Sequence, residues 1–100
     1  MPSDLSVART ILEQLGGSRF LAMTGAVGLI GDPRSMTFRI PLSRGINNVV
    51  VELDRGTDTY TVVGYRLKGH NCNEVQRHAL VYADALQVVF TAMTGLDTHL

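Results

Sequence analysis

His70, Cys72 and His78 are the residues best suited to chemistry, two imidazoles and a thiol within one short stretch. Imidazole nitrogen and thiolate sulfur are good zinc ligands, but a closed site needs four of them. Glu74 would have to supply the fourth, at a spacing that matches no recognised pattern. Cys72 is expected at the start of a helix, where the helix dipole lowers a thiol pKa and makes it reactive. The plainer reading is a small loop residue beside two solvated histidines, and sequence alone leaves open whether the three converge. Gly25-x-x-Gly28-x-x-Gly31 has the look of a phosphate loop. It lacks the Gly-Lys-Ser/Thr ending of a Walker A loop, and its spacing differs from the dinucleotide fingerprint. A mobile connector fits better. Asp4, Asp32, Asp54, Asp58 and Asp84 are scattered, and neither a Gly-x-Ser-x-Gly elbow nor a His-Glu-x-x-His pair occurs. These residues identify no catalytic set, no metal site and no cofactor. A non-enzymatic role is the expectation, with an enzyme or ligand-binding site assembled only in three dimensions as an alternative.

Composition narrows the class. One hundred residues, 45% apolar and 18% charged, make one ordinary globular domain. The formal net charge is zero, which offers no basic excess for general nucleic-acid binding and favours self-association. An acidic mimic of DNA is equally unsupported. Cys72 is the single cysteine, so no internal disulfide forms, and a reducing compartment is expected. Met1-Pro-Ser-Asp-Leu5 does not read as a signal peptide, and no apolar run approaches the roughly 18 residues of a membrane helix. A cytoplasmic protein is the expectation.

The elements that must position any site are read from periodicity. Leu5, Ala8, Ile11, Leu12 and Leu15 recur at helical spacing, capped by Ser3 with Asp4 in the first turn and ended by Gly16-Gly17. Ser18 opens a second, short helix closed by Gly25. Phe20-x-Ala-Met-Thr-Gly25-Ala26 returns as Phe90-x-Ala-Met-Thr-Gly95-Leu96, and the repeat reads as the ends of two helices, each glycine left-handed. Gly25–Ser35 is either a short edge strand or a packed loop. Met36, Phe38 and Ile40 alternate with polar residues as a strand ended by Pro41. A second strand centres on Val49, Val51 and Leu53, and a third spans Thr59 to Leu67, with Gly64 as a possible bulge. Asn71 with Glu74 predicts a capping box opening a long helix to Thr94, with Val75, Ala79, Tyr82, Ala83, Leu86, Phe90 and Met93 on one face. The expected fold is α+β and two-layered, with two N-terminal helices, a three-stranded antiparallel meander and a long C-terminal helix on one sheet face.

Two surfaces follow. With Met36, Phe38, Val49, Val51 and Tyr60 toward the helices, Arg39, Val50, Glu52, Thr61, Val63 and Tyr65 face away. Aromatic and arginine side chains are favoured interface anchors. Val81 and Val88 lie off the main stripe of the expected last helix and form a second candidate contact. Either suits a homodimer or a protein partner. The alternative is a nucleic-acid contact through Arg39, Arg44, Arg66 and Lys68. The helix–three strands–helix order is shared with double-stranded-RNA-binding domains. The basic start of their last helix is missing, since Asn73-Glu-Val-Gln-Arg77 stands there.

Thr10-Ile-Leu-Glu-Gln-Leu-Gly-Gly17, Phe20 and Met23-Thr-Gly-Ala26 at the beginning form a pattern. So do Tyr82-x-Asp84-x-Leu86, Phe90 and Thr94-Gly-Leu-x-Thr98-x-Leu100 at the end, with Phe38-Arg39 and Gly45-Ile-Asn47 between. It resembles a family of short proteins encoded by bacteriophages and prophages. The resemblance covers most of the chain and fits Gly28–Ser35 least. It implies a mobile-element origin and a bacterial cytoplasmic setting, and brings no activity and no catalytic residue.

Overall fold

The repeated phenylalanine-to-glycine segment closes two helices by the same hydrogen bonds. The structure, a computed structural model, describes residues 5–96. Its helices are α1 (Ser6–Leu15), α2 (Ser18–Thr24) and α3 (Leu86–Thr94), the last preceded by a 3₁₀ turn at Ala83–Ala85. The Thr24 hydroxyl donates to the Phe20 carbonyl and accepts from the Ala26 amide. Thr94 does the same between Phe90 and Leu96. Gly25 and Gly95 follow with φ of 70° and 74°, the left-handed region that a side chain disfavours. The segment recurs because one solution to helix closure is used twice. Its phenylalanines converge: the Phe20 and Phe90 rings lie edge to face at 5.3 Å, and Phe38 stands 5.3 Å from Phe20. All three are fully buried, each worth about 1.5–3 kcal/mol of apolar transfer.

The strands are β1 (Val27–Gly31), β2 (Ser35–Ser43), β3 (Ile46–Asp54), β4 (Thr59–Lys68) and β5 (Asn71–Val81). They pair in chain order as one five-stranded antiparallel sheet. This corrects the expected three-stranded meander. Gly25–Ser35 contains the edge strand β1, and the long helix expected from Asn71 is a strand up to Val81. Asn71 and Glu74 therefore form no capping box. The chain turns from β4 into β5 over Gly69-His70, with Gly69 at φ 60°, a two-residue hairpin turn that needs glycine first. β5 lacks the half-buried pattern of the central strands, being exposed along most of its length at the sheet edge. Two bulges also break its alternation: Gly64 pairs with Gln76 but Tyr65 with Glu74, and a second shift falls between Tyr60 and Val62. The extra residue near Gly64 thus lies on β5. Gly64 itself is needed for packing, since a Cβ there would stand 2.6 Å from Ile46 Cδ1 and 3.0 Å from Met93 Cε. β2 runs through Pro41 to Ser43, because an irregular register between Arg39 and Ser43 removes the demand for a ladder donor.

All three helices cover one sheet face. Ile11, Leu15, Phe20, Leu86, Phe90 and Met93 pack there on Met36, Phe38, Val49, Val51, Tyr60 and Val62. Gln87 ties α3 to α1 through the Leu15 carbonyl at 3.0 Å. The β2–β3 hairpin closes the end of α3. Ser43 donates to the Thr94 carbonyl, and the Arg44 guanidinium donates to the Ala92 carbonyl at 2.9 Å, where a cation also suits the helix dipole. The expected helix cap, Ser3, and its neighbour Asp4 lie outside the described residues, as do Thr98 and Leu100. α2 follows Gly17 with no side-chain cap, so Ser18 is not the cap expected.

Candidate interaction site

Alternation sets the other face. Arg39, Asn48, Tyr65 and Glu74 form one cross-strand row, and Thr37, Val50, Val63 and Arg77 form the next. Glu52 and Thr61 follow in a third. Val63 is 5% exposed yet lies outside the core cluster, so same-face neighbours cover it rather than helices. Val50, Thr61 and Tyr65 are half-buried, while Arg39, Glu52, Glu74 and Arg77 are exposed. The face thus has an apolar middle and a charged border.

The bulge in β5 builds part of that border. Residues three apart on a regular strand point to opposite faces. One inserted residue at Val75 brings Glu74 and Arg77 to the same face, where Arg77 Nη2 lies 2.8 Å from Glu74 Oε1 and Nε lies 3.2 Å from it. The Glu74 carboxylate holds the Arg77 guanidinium above its ordinary range, with smaller contributions from Tyr65 and Glu52. This is the one ion pair among the described residues.

Of the expected contact residues, Arg39, Val50, Glu52, Val63 and Tyr65 share this face. Val81 and Val88 do not form a helix surface. Val81 ends β5, pairs with Tyr60 and is buried in the core, whereas Val88 is 69% exposed on α3, on the helical side. The four basic residues do not form one patch. Arg44 is engaged at the end of α3, and Arg66 and Lys68 alternate onto the opposite side of the sheet from Arg39. His70, Cys72 and His78 spread along the β4–β5 hairpin. Cys72 and His78 sit on opposite faces of β5, about 20 Å apart at a strand rise near 3.3 Å. His78 instead meets Gln76 at 3.1 Å. No helix begins at Cys72, and among the described residues no three His, Cys, Asp or Glu side chains gather for a metal. Sequence reasoning missed Asn48, which precedes the residues on which the second expected strand was centred, and Glu74 and Arg77, which fell in the expected helix.

A cavity of about 280 Å³ lies elsewhere, lined by Thr10, Gln14, Leu53, Asp58, Tyr60 and Ala83 among others. Burial pushes the Tyr60 phenol up, a hydrogen bond with Gln14 opposes this, and the Asp58 carboxylate adds a smaller push. Gln14 Oε1 is buried there without a partner. The polar lining of the cavity is the Ser6 and Thr10 hydroxyls, Gln14, the Asp58 carboxylate and the Tyr60 phenol.

Fold and surface together define an α+β two-layer domain with one sheet face left open. No protein-family model matches the chain, and no curated protein or solved structure gives a match. No helix among the described residues is long and apolar enough to cross a membrane.

Proposed function

We propose that this chain is a small non-enzymatic interaction module whose open sheet face is its contact surface. The observation that carries this reading is the apolar centre at Val50, Val63 and Tyr65, bordered by Arg39, Glu52 and the Glu74–Arg77 pair. A desolvated apolar middle inside a polar rim is the anatomy of a protein–protein contact. Tyr65 and Arg39 are the residue types that anchor such contacts. A second copy is the simplest occupant, because a two-fold axis uses one self-complementary patch twice. Two such faces can stack as aligned sheets about 10 Å apart. Zero net charge opposes self-association least. The motif resemblance supports an accessory role for a phage or other mobile element in the bacterial cytoplasm.

Sedimentation equilibrium across micromolar concentrations is the test. The protein self-associates, and Tyr65→Ala raises the dissociation constant about tenfold or more, as loss of an interface anchor does. Val88→Ser, on the helical side, leaves association unchanged. A strictly monomeric protein rules out the second copy, and association indifferent to Tyr65→Ala rules out this face.

A further inference from the structure

An open sheet has two edges, and here they differ. β5 carries two bulges and the charged Glu74 and Arg77, devices that keep an edge from pairing with another chain. β1 has one irregularity, between Val27 and Ile30, and no charged side chain. Its Val27 and Ile30 are 54% and 67% exposed. The Asp32 amide donates to the Ser35 carbonyl at 3.0 Å, and Ile30 pairs with Thr37 two residues on. Antiparallel alternation then turns the Leu29 carbonyl and the amide and carbonyl of Gly31 outward, away from β2.

Beside this edge lies an apolar groove of about 130 Å³ between α1 and the sheet, lined by Leu5, Ala8, Leu12, Leu29 and Met36. Apolar cavities of about 150 Å³ hold a benzene-sized group, so this one has room for a single aliphatic side chain. Gly31 lets α1 come this close, since a Cβ there would stand 2.7 Å from that of Ala8. Arginines flank the edge. Arg9 forms part of the groove wall. The Arg39 guanidinium lies over Gly28 on the opposite face, its Nε 3.1 Å from where a Cβ would sit. Arg34, in the turn after β1, lies instead beside Glu52 and Asp54 of β3. None of the three joins an ion pair among the described residues. The neighbouring acid, Asp32, is already engaged by the amides of Arg34 and Ser35 and by the Ser35 hydroxyl.

We propose that β1 receives an extended acidic segment of a partner protein as an added strand, with one of its aliphatic side chains in the groove between α1 and β1. Backbone hydrogen bonds to Leu29 and Gly31 give affinity, and the alternating side chains give selectivity. Those pointing to the helical side meet the groove and Arg9, and those pointing to the open face lie near Arg39. A second copy is the poorer occupant, because two-fold pairing of β1 with itself brings Arg9 and Arg39 toward the same residues of the other copy.

The probe is a synthetic seven-residue peptide that alternates valine or leucine with aspartate or glutamate. Its control keeps the aliphatic residues and replaces every acid by lysine. Fluorescence anisotropy measures binding, and hydrogen exchange locates it. The acidic peptide binds and slows exchange at the Gly31 amide, while the lysine peptide does neither. Combined Arg9→Glu and Arg39→Glu, both at exposed positions, weakens the acidic peptide about tenfold and admits the lysine peptide. N-methylating alternate peptide amides abolishes binding without altering the protein, so loss of fold cannot mimic the result. The proposal is overturned if the acidic peptide fails to bind at millimolar concentration, or if both peptides bind alike. Protection at β5 amides, or protection of β1 that follows protein concentration without peptide, overturns it too. The peptide comparisons on the native chain and the N-methylated peptide leave the open face untouched, and Tyr65→Ala, which lies away from β1, tests that face separately.

Discussion

Phe90→Ala is expected to remove a large part of the stability of this domain. Phe90 is fully buried on α3, edge to face with Phe20 at 5.3 Å and tilted against Phe38 at 6.0 Å. Truncating a buried phenylalanine costs about 3–5 kcal/mol, from lost transfer energy and the cavity left behind. Each well-placed aromatic pair adds about 0.5–1.5 kcal/mol beyond area burial. The ring is held by β2 from below and α2 from the side, elements fixed by their own hydrogen bonds, so little collapse into the cavity is possible. The upper part of the range is expected. A domain of this size has about 5–15 kcal/mol in all, so the variant is marginal at 25 °C. Urea denaturation followed by far-ultraviolet circular dichroism measures the loss. A double-mutant cycle of Phe20→Leu with Phe90→Leu isolates the ring pair, with a coupling of about 0.5–1.5 kcal/mol expected. A midpoint unchanged by Phe90→Ala, or zero coupling in the cycle, would refute the three-ring core.

Gly64→Ala should cost about 1–3 kcal/mol through overpacking against Ile46 and Met93, both fully buried. Adding Ile46→Val, which deletes the clashing Cδ1, should recover part of that in the same urea assay. Gly95→Val should cost about 1–3 kcal/mol from left-handed strain, and more because its Cβ would stand 2.8 Å from Arg44 Nε and displace that cap. Gly17→Ala, at φ 61° and ψ −134° with open space around it, should cost backbone strain without a clash, in a region still less open to a side chain than that of Gly95. Asp32 has its carboxyl held below the ordinary range, chiefly by the Arg34 amide and then by the Ser35 hydroxyl. A depressed folded-state pKa gives stability that is present above the unfolded value and lost as pH falls through the folded one. The advantage of the native chain over Asp32→Asn should therefore be present at pH 6 and fade below about pH 4, read from thermal midpoints across that range.

The central strands were legible because they are half-buried. Met36, Phe38 and Ile40, then Val49 and Val51, then Tyr60 and Val62 keep a period of two with one face against the helices. The same alternation placed Arg39, Val50, Glu52, Val63 and Tyr65 together on the far side. Phe90 and Gly95 were legible from local rules of helix packing and closure. β5 was not. Before Val81 its inner side bears Asn73, Gln76 and His78 instead of core residues, and its inserted residues destroy the period. Val75, Ala79 and Tyr82 then fall at helical spacing by coincidence. The available signal was Gly69-His70, a two-residue turn after a long strand that still lacked a second neighbour. Losing β5 as a strand also hid Glu74 and Arg77 from the face and moved Val81 onto an imagined helix surface.

The Val75 insertion serves both surfaces of the sheet. Without it, Glu74 and Arg77 would fall on opposite faces, and the open face would lack an acid–base pair beside Tyr65. With it, β5 twists at mid-length, and its outward amides and carbonyls no longer form one straight ladder. The same inserted residue thus completes the charged border of the face and guards the edge next to it. β1 has the reverse arrangement. Its irregular end runs from Val27 to Ile30, with Gly28 under Arg39, while Ile30 and Gly31 keep their register, and the strand is uncharged and beside an apolar groove. A sheet that guarded neither edge would aggregate, and one that guarded both would offer a partner only its face. Guarding β5 alone leaves β1, with Arg9 and Arg39 beside it, as the edge on which the proposed acidic segment would add.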